Sequence, residues 1–126
     1  MLVLDAGGIS RLARRTQDAA AAIMVFKREG LWPPVVPSIV LVESLTGRQQ
    51  SDATVNRLLK TCHIVEQLPE QRARRAGQLR ARARRGSAVD AVVVASAEPG
   101  GTVLGGDLAD LRALATYAQD VTIKRA

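Results

Sequence analysis

Four carboxylates stand where apolar stretches of this chain begin or end. They are Asp5 after Met1-Leu-Val-Leu, Glu43 within the run Val35 to Ser44, Asp90 in the run Ser87 to Ser96, and Asp107 after Thr102-Val-Leu-Gly-Gly. The chain has 12 carboxylates against 18 Lys and Arg, so acids set among its most apolar residues need a physical reason. A buried carboxylate loses its hydration, and several together repel, unless a cation neutralises them. Hard divalent ions such as Mg²⁺ prefer oxygen ligands and fill that role. Bound metal ions can activate water, shield phosphoryl charge and stabilise a leaving oxygen, which is the chemistry of phosphodiester hydrolysis. On this chemistry Asp5, Asp90 and Asp107 are the expected ligands, directly or through water. Glu43 either ligates or orients the attacking water.

Each acid also has a structural alternative. Asp90 follows Ser87 by three residues and could complete a capping box. Asp107 could be an N-cap, and Glu43, among Ile39 to Val42, could pair with an arginine. Asp5 ends a strand, where capping gives it little to do.

The elements that must position these acids can be read from pattern. Leu2 to Asp5 reads as a buried strand, followed by Gly7-Gly8 and a helix from about Ile9 to Arg15. Asp18 is the expected N-cap of a second helix that Gly30 ends. Val35-Val36-Pro37 is a second strand, with Ser38 capping the helix of Glu43 and Ser51 capping the next one. His63 to Leu68 is a third strand, and Pro69 suits the first turn of a long helix that Gly86 stops. Ser87 starts the helix of Asp90, Thr102-Val-Leu104 is a fourth strand, Asp107 opens a helix, and Val121 to Lys124 closes the sheet. Strands alternating with helices, without hairpin signals, predict an α/β domain with a mostly parallel sheet covered on both faces. At 126 residues the chain is expected to form one domain. In a doubly wound sheet, residues just past the strand ends face a crevice where the winding reverses, which would bring Asp5 and Asp107 together.

Charge and composition narrow the partners. The net charge is +6, and seven of the fifteen arginines fall between Arg72 and Arg85 with no acid among them. Such a run is either a solvated helix face or a phosphate-binding one, and Arg80, Arg82, Arg84 and Arg85 are the candidates for RNA contact. Phe26, Trp32 and Tyr117 are the only aromatics, too few for a base-stacking platform. Any nucleic acid would be held by phosphate contacts and shape. No apolar run reaches the ~18 residues of a membrane span, and the N-terminus carries no positive leader pattern. With one cysteine, Cys62, no internal disulfide can form, and a cytoplasmic location is expected.

Val-Leu-Asp near the start, Glu43, Asp90 in an Ala-rich helix, and a strand followed by Asp107-Leu-Ala-Asp110-Leu resemble the PIN domain across essentially the whole chain. The small bacterial members are the VapC-type toxins of toxin–antitoxin pairs. The resemblance implies a three-layer α/β/α sandwich with strand order 3-2-1-4-5. It further implies Mg²⁺- or Mn²⁺-dependent endoribonuclease activity on structured RNA such as tRNA or rRNA. A homodimer and a small neutralising antitoxin belong to the same expectation. The family acids fall on Asp5, Glu43, Asp90 and Asp107, and Asp110 matches the second Asp of the terminal motif, expected to support the site rather than to ligate. Two departures stand out: the small hydroxyl residue after the first Asp is replaced around Gly7, and the Thr or Ser before the last acids is absent at Gly105-Gly106.

Other chemistries lack their residues. Cys62-His63 has no further Cys or His to complete a zinc site, and the single His leaves no Ser/His/Asp set. The glycine pairs match neither a dinucleotide fingerprint nor a P-loop. A receiver-like phosphoacceptor domain would need a second acid beside Asp5. A PIN-like RNA-binding or interaction module that no longer hydrolyses remains the alternative to the nuclease.

Overall fold

A computed structural model describes all 126 residues. The elements run β1 (Leu2–Leu4), α1 (Ala6–Ala13), α2 (Gln17–Arg28), β2 (Val35–Pro37), a 3₁₀ turn (Ser38–Val40) leading into α3 (Leu41–Ser44), α4 (Gln49–Leu59), β3 (His63–Val65), α5 (Glu70–Ala83), α6 (Ala88–Ala97), β4 (Thr102–Gly105), α7 (Leu108–Ala115) and β5 (Thr122–Arg125). The five strands form one all-parallel sheet in the order β3-β2-β1-β4-β5. That is the α/β architecture and strand order expected from the sequence. Helices α1 to α4 pack together on one face, and α5, α6 and α7 on the other. No helix is long and apolar enough to cross a membrane.

Position in the sheet explains the strand sequences. The central β1 pairs with β2 and β4, Val3 lying opposite both Val35 and Val103. Its three residues are sealed from solvent on both faces, so Leu-Val-Leu shows no polar alternation. Edge strand β5 reads Thr-Ile-Lys-Arg, and its charged, exposed residues discourage pairing with another chain.

Helix α6 has the most enclosed environment. Every residue from Ala91 to Ala97 is buried, because the helix lies between the sheet and α5 and α7. A helix packed on all sides must be apolar on all sides, and its Ala and Val side chains allow close approach. In α5, by contrast, only Ala76 and Leu79 are buried, and most of the arginines point outward.

Several helix starts differ from the sequence reading. Helix α1 begins at Ala6 rather than near Ile9, because β1 passes into it with no intervening turn. Asp5 is its N-cap, its Oδ1 accepting from the Gly8 N–H at 2.8 Å. Thr16, not Asp18, caps α2, accepting from Ala19 at 3.1 Å. Ser38 opens the 3₁₀ turn and donates to the Glu66 carbonyl, while Ser51 lies inside α4. The turn before α4 is organised instead by buried Asp52, which accepts from the Thr46 N–H and hydroxyl and the Gly47 N–H. Those hydrogen bonds, the Thr46 N–H foremost, hold its carboxyl below the usual range. Helix α5 ends at Ala83, with Arg84 as its C-cap at φ 54°, two residues before the Gly86 stop read from the sequence.

One ion pair fastens α5 to the end of α6. Arg75 donates to both Glu98 oxygens at 2.8 Å, and Gln119 N–H adds a third bond at 2.7 Å. The Arg75 hydrogen bond is the main reason the Glu98 carboxyl sits below its ordinary range. A lowered value means that this stability is complete above the unfolded glutamate range, near pH ~4.3, and is lost as pH falls through the folded value. Glu98→Ala is expected to lower stability by about 2 kcal/mol at pH 7. In urea unfolding, the gap from the parent should narrow as pH falls below the unfolded glutamate range.

Candidate metal centre

The carboxyl ends of β1 and β4, the adjacent strands where the winding reverses, meet the N-terminus of α6. Asp90, Asp107 and Asp110 converge there, each offering a carboxylate oxygen within 4.8 Å of the others. Asp90 comes from the first turn of α6, Asp107 from the cap of α7, and Asp110 from one turn further on. Three carboxylates so close are a set of hard oxygen donors suited to one divalent ion.

The capping roles are real, and they coexist with this arrangement. Asp90 Oδ2 accepts from Ser87 N–H at 3.2 Å while Ser87 Oγ accepts from Asp90 N–H at 3.0 Å, a complete capping box. Asp107 Oδ1 accepts from Asp110 N–H at 3.4 Å. Asp110 Oδ1 accepts from Arg85 Nε at 2.6 Å. Each cap or pair engages one oxygen, leaving Asp90 Oδ1, Asp107 Oδ2 and Asp110 Oδ2 without a protein donor. The caps fix the carboxylates in place, and the free oxygens are the ones available to a cation. The positive end of the α6 dipole lies beside Asp90.

Asp5 lies beneath this trio rather than within it. It is 7% exposed, with Oδ1 held by Gly8 N–H and Oδ2 by Gly106 N–H at 3.2 Å. Burial pushes its carboxyl above the ordinary aspartate range, the Gly8 and Gly106 N–H groups oppose that rise, and the nearby Asp90 charge adds to it. Glu43 lies on α3, exposed, without an ion pair and outside the converging set. Asp110 converges with Asp90 and Asp107 and is also paired with Arg85, the satisfied partner expected of a supporting acid. Its spacing of three from Asp107 was the available signal, since it puts both carboxylates on one side of a helical turn.

Close packing around Asp5 accounts for the missing side chains at Gly7 and Gly105. A Cβ on Gly7 would fall 2.6 Å from Gly106 N, and one on Gly105 would fall 2.7 Å from Asp5 Oδ2 while striking Leu111 harder still. The start of α1 and the end of β4 approach so closely that no side chain fits at either position.

Of the arginines assigned to RNA, Arg85 pairs with Asp110 and Arg80 donates to the Gly86 carbonyl at 3.0 Å. Arg82 and Arg84 are exposed and have no protein partner. Arg85 acts as an internal counter-charge to the trio. Arg85→Ala is therefore expected to tighten divalent-ion binding about three- to tenfold in titration calorimetry, because a repelling charge and a competitor for Asp110 both disappear. Weaker binding would mean instead that Arg85 orients Asp110 for the ion.

A scan against protein-family models finds no match for the chain, and a search of curated proteins finds none either.

Proposed function

We propose that this chain is a metal-dependent endoribonuclease of the PIN class, hydrolysing phosphodiester bonds in structured RNA. The observation that carries this reading is the convergence of Asp90, Asp107 and Asp110, with one oxygen of each left free, above the buried Asp5. Mg²⁺, or Mn²⁺ in its place, is the ion that such oxygen donors suit. Asp90, Asp107 and Asp110 would hold it, and when bound it would supply an activated water and shield phosphoryl charge. Asp5 ties the start of α1 to Gly106, next to Asp107, and so positions that ligand. Glu43 stays a candidate for orienting water once RNA is bound. The toxin role, neutralisation by a small antitoxin, the homodimer and the choice between tRNA and rRNA rest on the sequence resemblance alone.

The test is cleavage of a structured RNA by purified protein across a Mg²⁺ and Mn²⁺ titration. Cleavage that depends on the ion and stops with chelator supports the proposal. Ion binding without cleavage supports the second reading, an RNA-binding module that has lost hydrolysis. The Arg85–Asp110 pair and the absence of hydroxyls at Gly7, Gly105 and Gly106 favour that alternative.

A further inference from the structure

We infer that a basic groove on the α1 side of the carboxylates holds the RNA backbone on one flank of the scissile phosphodiester. The inference rests on the nuclease reading and adds the path of the strand. The groove encloses about 690 Å³ between α1, the start of α2 and the end of β5. Arg11, Arg14 and Arg125 line it, and Asp18 is the one acidic side chain among its walls. Arg11 is braced across the groove, donating to the Arg125 carbonyl at 3.3 Å and to Asp18 at 3.4 Å. Arg14 and Arg125 are exposed, and neither is in an ion pair. Their guanidinium groups are available to phosphate, which arginine recognises through paired N–H donors.

Position decides in favour of RNA over an acidic protein segment. Gly7 and Gly106 form one lip of the groove, and the same two residues border Asp5 and Asp107. The lip is low because neither residue has a side chain. A strand whose phosphodiester lies over the trio must leave on two sides. On one side stand Arg82 and Arg84 at the end of α5, beside the Arg85–Asp110 pair. On the other lies this groove. A positively charged flank on each side of a negatively charged centre suits a polyanion crossing it.

The test measures binding in chelator, so that no cleavage occurs, using a fluorescein-labelled single-stranded 12-nucleotide RNA of mixed sequence. Arg14→Gln with Arg125→Gln is compared with a control that removes the same charge elsewhere, Arg28→Gln with Arg48→Gln. The groove variant is expected to bind about tenfold more weakly, with a salt dependence shallower by about 1.4, while the control changes less than about twofold. Equal loss in both variants, no loss in the groove variant, or no binding by the parent overturns the groove assignment. So does equal competition by a polyglutamate peptide, which would mark a general anion surface. Failure of the parent to cleave RNA with Mg²⁺ would instead tell against the nuclease reading and leave groove-dependent binding standing.

Discussion

Asp90→Asn is expected to reduce metal-dependent RNA cleavage by more than about 100-fold. Even groups that only support a metal ligand usually matter 10- to 100-fold, so losing a ligand charge should exceed that. The asparagine keeps a carbonyl oxygen to accept from Ser87 N–H, so the capping box survives and the fold with it. It also removes the Asp90 charge that raises the Asp5 carboxyl, so the metal-free variant should unfold within a few degrees of the parent. The paired readout is the Tm gain on adding ion. At a hundred times its Kd, an ion that binds only the folded state adds about 2.7 kcal/mol, and the variant should lose most of it. Asp107→Asn should behave alike. Asp110→Asn should have a smaller effect, because Arg85 already shares that charge. Parental cleavage together with a parental Tm gain in Asp90→Asn would remove the trio from the chemistry.

The second large effect separates two neighbouring glycines. Gly105→Ser should lower Tm by roughly 10 °C, whereas Gly106→Ser should stay within about 2 °C of the parent. A Cβ at position 105 meets Asp5 Oδ2 at 2.7 Å and its Cγ at 3.1 Å, besides the fully buried Leu111. Asp5 cannot swing aside without releasing the Gly8 and Gly106 N–H groups, so the collision is absorbed by the core at about 1 to 3 kcal/mol. At position 106 the nearest atom to a new Cβ is Gly7 Cα at 3.4 Å, an ordinary contact, and the residue is exposed. Thermal melts of the two variants side by side test the claim. Equal melting would mean that β4 and α1 can separate more easily than their contacts suggest.

Strand positions were legible in the sequence because buried parallel strands need short Val- and Leu-rich runs between helical patterns, whereas the strand order came only with the PIN resemblance. Less legible were the junctions. Gly7-Gly8 were read as preceding the helix, yet they belong to α1, where close packing excludes side chains. The caps of α2 and α4 were misplaced because Thr16 and Asp52 act through local hydrogen bonds that several neighbouring polar residues could equally have made. Asp90 and Asp107 could be named as candidates because each follows a clear element boundary. The pairing of Asp110 with Arg85 depends on α5 meeting α7, a tertiary fact that spacing along the chain does not encode.

The burial of α6 bears on which ion the site would accept. Asp90 belongs to the first turn of a helix whose next seven residues are all enclosed, so it cannot shift without disturbing the core. Asp107 is exposed, yet Gly106 before it is tied to Asp5 and its own side chain caps α7, so it too has little freedom. A centre anchored on both sides discriminates by ionic radius. A larger ion such as Ca²⁺, with its longer bonds, would have to spread carboxylates that are pinned, whereas Mg²⁺ can reach them while keeping several of its waters.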